Sequence, residues 1–250
     1  MDRATHLEQL KQTFGAKAVS QAERARAVTG LFDRIAPRYD LMNDLMSFGT
    51  HRLWKRVVVR KAAGLASGAP GIVVDLAGGT GDLALALRRR LPDRRIVVAD
   101  ASEGMLEIAR SRGGAGLDYL HAPAEALPFD DGSVALVTLS FGLRNMTDPA
   151  AALREVTRVL APGGHLVLLE FSKPAAWFAP FYGVHARYVI PRIGAAVARD
   201  RAAYAYLVES IDRFPDREDI AREIVAAGLD LVEERAFMFG VARMHVGRTP

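Results

Sequence analysis

Two periods of apolar and polar positions run along the chain. Val28, Leu31, Phe32 and Ile35 recur at helical spacing and predict a helix over 20–36, which Pro37 stops. A polar-aromatic segment follows, PRYDLMNDLMSFGTHRLWKR, and then a second helix to about residue 64. Beyond it, short β-branched runs alternate with helices. IVVDL at 72–76 and IVVAD at 96–100 read as strands, as do LDYLHA, VALVTLSF and HLVLLEF at 165–171. DLALALRRR, GMLEIARSR and PAAALREVTRVL read as helices, the last with Asp148 as N-cap and Pro149 in its first position. Buried-type strands alternating with helices predict a doubly wound, parallel α/β sheet. The aromatic stretch 174–210 breaks that rhythm and reads as a helical insertion before the last helix and two closing strands. The expected division is a helical, substrate-side cap over 1–64 and a Rossmann-like domain over 65–250.

Composition narrows the class. Of 250 residues half are hydrophobic and a quarter charged, enough for one large core. With no cysteine there is neither a disulfide framework nor a thiolate metal site. The stretch MDRATHLEQLKQTFGAKA lacks the apolar run of a secretory signal, and no segment has the length of a spanning helix. A cytoplasmic protein is expected, with peripheral contact at a membrane left open. A net charge of +4 can mean nucleic acid or anionic lipid, but without a separate basic RNA-binding module no nucleic-acid partner is expected. Arg88, Arg89, Arg90, Arg94 and Arg95 suit a helix C-terminus. Arg52, Lys55, Arg56, Arg60 and Lys61 are interleaved with Leu53, Trp54 and three valines and are harder to read as a merely solvated face.

The chemistry begins at DLAGGTGD, Asp75 to Asp82, between the first strand and its helix. Glycines allow a sharp turn and close approach of backbone to a ligand, and the helix start beyond presents free N–H groups. Gly79, Gly81 and Ala84 satisfy G-x-G-x-x-G/A, and Asp100 ends the second strand about 20 residues on, placed for ribose hydroxyls. That pattern alone fits a nicotinamide dinucleotide or S-adenosylmethionine. Asp75 favours the latter, since a carboxylate beside the loop suits an ammonium group and repels a pyrophosphate. No histidine pair has metal-site spacing. His6, His121 and His165 fall at polar or strand-edge positions, His185 in the insertion, and His51 where it could help fold a lid over substrate.

AEALPF at 124–129 resembles the adenine-side loop of class I methyltransferases, and LAPGGHLVLLEF their Pro-Gly-Gly turn and fifth strand. YDLMNDLMSFGTHRLWKR at 39–56, SFGLRNMTD at 140–148, LEFSKP at 169–174 and YAYLVESIDRFPD at 204–216 are similar, in order, to blocks of the UbiE/MenG quinone-biosynthesis C-methyltransferases. The resemblance runs from about Leu31 to His245. It implies the class I methyltransferase fold, S-adenosylmethionine as cofactor, and methylation of a polyprenylated quinol, either demethylmenaquinol or a methoxy-polyprenyl-benzoquinol. It places Asp75, Gly79, Thr80, Gly81, Asp100, Pro123, Ala124 and Ser140 at the cofactor. Pro123 stands where relatives often carry Asp or Asn, which leaves only backbone contacts there. The tail VGRTP also departs from the family.

Methylation of an aromatic carbon needs the neighbouring phenol to lose its proton and the phenolate to be stabilised. The motifs offer Tyr39, Asp40, Asn43 and Asp44, and after the fourth strand Arg144 and Asn145. The catalytic set expected is Arg144 on the phenolate, Asn145 orienting it and Tyr39 in the proton relay. A structural ion pair of Arg144 with Asp148 or Glu170 is the competing reading. Trp177, Phe178, Phe181, Tyr182, Tyr188 and Ile190 admit two readings as well: a polyprenyl tunnel touching the bilayer, or a cover packed on the sheet. Arg187, Arg192 and Arg199 follow, where they could meet anionic lipid. Another small-molecule or RNA methyltransferase, a nicotinamide dehydrogenase and a non-catalytic partner of a biosynthetic assembly are the alternatives. A homodimer and a quinone-biosynthesis assembly both stay open as partners.

Overall fold

A computed structural model describes residues 13–14, 17–67, 70–113, 116–184, 188, 206, 209–211 and 217–250. Strands β1 (Ile72–Leu76), β2 (Ile96–Asp100), β3 (Asp118–His121), β4 (Val134–Ser140), β5 (Leu160–Phe171), β6 (Asp230–Phe237) and β7 (Ala242–Arg248) form one sheet in the order 3-2-1-4-5-7-6. Strands β1 to β5 run parallel, and β7 lies antiparallel to both β5 and β6. The doubly wound α/β expectation holds, with a mixed rather than wholly parallel sheet. A two-residue ladder, Thr13–Phe14 with Lys17–Ala18, stands apart from it.

Helices α1 (Gln21–Ile35), α2 (Tyr39–Ser47), α3 (Thr50–Ala66), α4 (Asp82–Arg88), α5 (Glu103–Gly113), α6 (Pro149–Val159), α7 (Ala179–Val184) and α8 (Arg217–Ala226) surround the sheet. Alternation along the strands divides the core in two. Val73, Val98, Leu136 and Val167 meet Trp54, Val58 and Ala62 of α3 with Leu83 and Leu87 of α4. Val74, Val97, Val137 and Leu168 meet Leu153 and Val156 of α6 with Ile220 and Ile224 of α8. Successive strand residues point to opposite faces, so each strand serves both layers.

The helix boundaries follow from local chemistry. Ser20 caps α1 in a reciprocal box with Glu23. Asp148 caps α6 through the Ala151 N–H at 2.9 Å, with Pro149 in the first turn. Two expectations are corrected. The segment after Pro37 is helical: α2 occupies it, and left-handed Phe48 and Gly49 turn the chain into α3. Strand β5 also begins earlier than residue 165. Leu160 pairs with Val134 and His165 with Leu136, so the Ala-Pro-Gly-Gly between them bulges out of the ladder.

His245, in β7 between Leu168 and Glu234 of its neighbours, is 2% exposed, and neither ring nitrogen has a partner. Burial pushes it down to about 4, so the folded protein holds the ring neutral. An unfolded histidine takes its proton near pH 6.5, and the contribution to stability is therefore complete above that pH and lost as pH falls towards 4. Denaturant titrations are expected to lose about 3 kcal/mol across that window. In His245→Leu the decline should be correspondingly shallower, and an unchanged decline would assign it to other groups.

Candidate active site

The sheet order reverses between β1 and β4, and the carboxyl ends of β1, β2 and β4 open there onto a crevice. The turn after β1 fixes its floor. Gly79 and Gly81 have φ of 56° and 77°, which side-chain-bearing residues rarely adopt. A Cβ on Gly78 would lie 2.7 Å from Val98 Cγ1 and 2.9 Å from the Asp75 carbonyl, so this position admits no side chain. Asp75 faces inward. Its carboxylate accepts from Thr138 Oγ1 at 2.7 Å and from the Ala84 N–H at 3.1 Å, and burial raises it to about 7. Thr80 is buried and donates to Asp40 of α2 at 2.9 Å. Asp100 accepts from the Gly79 N–H at 2.8 Å and the Ser102 N–H at 2.9 Å, which offset part of the upward push that burial gives its carboxyl.

Two cavities meet above this floor. The first, about 200 Å³, is bordered by Gly79, Asp100, Pro123, Ala124, Ser140 and Asn145. Ser140 Oγ is buried there without a hydrogen-bond partner. The second, about 250 Å³, is mostly apolar, with Met42, Met46, Trp54, Phe171, Phe178 and Phe181 among its walls. Phe32, Tyr39 and Phe141 line both and form the partition. Phe141 carries a φ of 59° and its neighbour across the crevice, Ala77, one of 50°, a strain held at the junction. Gly142 makes that close approach feasible, since its Cβ would stand 2.5 Å from Ala77 Cβ.

Arg144 borders the apolar cavity with its side chain 3% exposed. Its Nη1 donates to Glu170 Oε1 at 2.5 Å and to the Phe141 carbonyl at 2.8 Å, while Nε has no partner. Of the two ion pairs weighed, the one with Glu170 is formed, and Asp148 serves the helix cap. Asn145 lies on the first cavity, donates to the Phe141 carbonyl at 3.2 Å and accepts from the Tyr206 hydroxyl at 3.1 Å. The eleven cofactor and catalytic candidates thus gather around one crevice, Asp75 and Thr80 behind the loop and the others along its walls or turn.

Several residues escaped the sequence. Arg24 of α1 is fully buried and donates to the Arg144 carbonyl at 2.8 Å and the Met146 carbonyl at 3.2 Å. Asp33 accepts from Ser102 Oγ at 2.5 Å and the Gly104 N–H at 3.2 Å, tying α1 to the turn after β2. Phe32, Phe141 and Gly142 shape the partition. Of the insertion aromatics, Phe178, Phe181 and Tyr182 line the apolar cavity. Trp177 and Phe181 are 61% and 69% exposed, and Trp177 packs edge-on against Phe239 at 4.6 Å. Tyr188 is exposed, whereas His6, His185, Arg187, Ile190, Arg192 and Arg199 and most of the block 204–216 lie outside the described residues. Among the described residues, no cluster of three His, Cys, Asp or Glu could hold a metal ion, and no helix is long and apolar enough to cross a membrane.

The sequence model of the ubiE/COQ5 methyltransferase family matches residues 18–249. A Rubrivivax gelatinosus protein named ubiquinone/menaquinone biosynthesis C-methyltransferase UbiE is 49% identical over 238 residues, 95% of this chain and 93% of the relative. A protein of the same name from an Enterobacter species is 44% identical over 241 residues, 94% of this chain and 95% of the relative. Among solved structures, the [4+2]-cyclase SpnF superposes with a TM-score of 0.63 at 17% identity, covering 90% of this chain and 96% of that one. A SAM-dependent methyltransferase from Thermotoga maritima gives 0.58 at 21% identity, covering 89% and 100%. At such identities the structures establish the fold alone.

Proposed function

The chain belongs to the ubiE/COQ5 methyltransferase family, and from that premise we propose that the first cavity seats S-adenosylmethionine and the second the ring of a polyprenylated quinol, with methyl transfer across the partition between them. The enzyme is a SAM-dependent C-methyltransferase of ubiquinone or menaquinone biosynthesis. Its acceptor is demethylmenaquinol, 2-methoxy-6-polyprenyl-1,4-benzoquinol, or both. The observation that carries this reading is the pairing of a cavity with polar groups at one edge and an apolar cavity, joined at Phe32, Tyr39 and Phe141. Family membership sets the nicotinamide reading aside.

The residues fit the cofactor. Gly79 of the turn, the Asp100 carboxylate and the orphaned Ser140 hydroxyl face the same space. When bound, S-adenosylmethionine supplies a methyl group already activated on a sulfonium. The chain's own task is alignment and handling of the quinol proton. Asp100 takes the ribose hydroxyls, the backbone of Pro123 and Ala124 borders the adenine side, and Asp75 and Thr80 hold Gly79 and Gly81 in place. Arg144 stabilises the phenolate with its unpartnered Nε edge, and Tyr39 meets the ring from the partition. Asn145 reaches the substrate side through the Phe141 carbonyl it holds, which positions the turn carrying Arg144.

Phe178, Phe181 and Met238 wall the apolar cavity, and Trp177 and Phe239 continue that apolar surface outward. A tail in water costs about 25 cal/mol for each Å² of apolar surface. We place the bilayer contact at this rim, where exposed aromatics suit the headgroup region. Purified protein with S-adenosylmethionine is expected to methylate a reduced long-chain quinol in vesicles. Trp177→Ser/Phe178→Ser should depress that turnover about tenfold or more while a short-chain soluble quinol is largely spared. Equal losses on both substrates, with a lowered melting temperature, would return these aromatics to the core. Methylation of an unrelated small molecule in preference to either quinol would replace the substrate reading.

A further inference from the structure

A reaction that begins with loss of a phenolic proton needs an acceptor within the cavity that holds the phenol. Among the described residues, the polar ones bordering the apolar cavity are Tyr39, Asn43, Ser47, Thr50, His51, Arg144, Tyr182 and Tyr206, with no carboxylate. Amides and aliphatic hydroxyls are not bases near neutrality, and arginine already carries its proton. Tyrosines hold their own protons at ordinary pH, and burial raises Tyr182 and Tyr206 further. Imidazole alone in this set accepts a proton at ordinary pH.

His51 is also held in the form the task requires. It stands in the first turn of α3, 6% exposed, with Nδ1 2.8 Å from Ser47 Oγ. Ser47 has one hydroxyl proton, and it goes to the Asn43 carbonyl at 2.6 Å. Ser47 Oγ is therefore left to accept, which places the imidazole proton on Nδ1 and the free lone pair on Nε2. Nε2 lies 3.8 Å from Asp44 Oδ1, too far for a hydrogen bond but close enough for that carboxylate to favour an imidazolium.

Building on the assignment of the apolar cavity to the quinol, we propose that His51 Nε2 is the proton acceptor for the quinol hydroxyl. The O–H bond breaks, its electron pair stays on oxygen, and the proton bonds to Nε2. A phenol is a weaker acid than imidazolium by about three to four pK units, so the proton moves as charge flows from oxygen into the ring carbon forming its new bond. The methylated ring is then a neutral dienone. Its carbon hydrogen leaves to water as a proton, and the imidazolium returns the first proton to oxygen. The quinol is restored with net release of one proton.

The charges around the ring set its pH range. Burial lowers His51 first, Lys55 and Arg52 of its own helix lower it further, and Asp44 of α2 and Asp82 of α4 oppose them. Across the cavity stand Arg144 and the three tyrosines. The neutral ring is the active form, so the rate holds above an acid limb lying below pH 6.5 and falls as pH drops through it.

His51→Asn keeps an N–H for Ser47 and removes the base. With a short-chain demethylated naphthoquinol kept reduced, kcat is expected to fall by about 10²- to 10⁴-fold. KM for the quinol and calorimetric affinity for S-adenosylmethionine should change little, and the acid limb should vanish. Asp44→Asn should move that limb to lower pH, and nitrogen NMR of the wild-type ring should show the Nδ1–H tautomer. A His51→Asn enzyme with wild-type kcat, or one that keeps its acid limb, refutes the role. Should that variant not fold, an unmoved limb in Asp44→Asn or an Nε2–H tautomer refutes it equally. A wild-type enzyme inactive on the quinol would instead overturn the substrate assignment beneath it.

Discussion

Arg144→Met is expected to lower the free energy of unfolding by about 3–5 kcal/mol, because it strands Glu170 as an uncompensated buried charge. Glu170 Oε1 accepts from Arg144 Nη1 at 2.5 Å and the Phe171 N–H at 2.9 Å, and both side chains of the pair are almost wholly buried. Adding Glu170→Gln removes the stranded charge while keeping an acceptor for that backbone group. The double variant should therefore regain most of the lost stability. Its methyl-transfer rate should stay about 10²- to 10³-fold down, since the charge facing the phenolate is still missing. Denaturant titration and turnover measured on the same samples separate the two roles. A double variant that recovers both stability and rate would make Arg144 a purely structural cation.

The other large effect is on cofactor affinity. Asp100→Ala removes the acceptor of the Gly79 and Ser102 N–H groups as well as the one assigned to the ribose. Hydrogen bonds to a charged acceptor contribute about 1.5–3 kcal/mol each, so calorimetry should record at least a hundredfold weaker S-adenosylmethionine binding. Asp100→Asn, which keeps one acceptor oxygen, should lose less, and NAD should bind to neither variant nor wild type. Undiminished affinity in the alanine variant would remove Asp100 from the site.

What could be read beforehand follows from how local each signal is. The glycine turn and Asp100 were legible because backbone geometry and strand length fix their spacing within one βαβ unit. The Asp148 cap was legible for the same reason, as it needs only the helix it starts. Arg24 was not. An arginine in a run of charged helix residues reads as solvated, and its burial depends on carbonyls of residues 144 and 146 that only the tertiary fold delivers. Helix α2 was missed because it is only nine residues long and buries just Met42 and Met46, with Leu41 exposed. His51 was seen in its motif, but the cavity it borders is built from stretches of chain as far apart as Leu31 and Met238. The two readings of Arg144 could not be ranked from sequence, since Glu170 is 26 residues away on strand β5.

The way α1 and α2 are fastened has a kinetic meaning. Val28, Leu31, Ile35, Met42 and Met46 form a small cluster of their own with Met105 and Tyr206, separate from the two cores on the faces of the sheet. Besides Met105, polar groups tie these helices to the crevice: Arg24 to the turn after β4, Asp33 to the turn after β2, Asp40 to Thr80 and Arg112. Lifting them breaks hydrogen bonds that water can replace and opens the small apolar cluster around Met105. Both cavities have walls on this unit, so its opening is one event that exposes the two compartments together. Release of the spent cofactor and of the methylated ring would then share a single gate, and the residence time of either is set by the same latch.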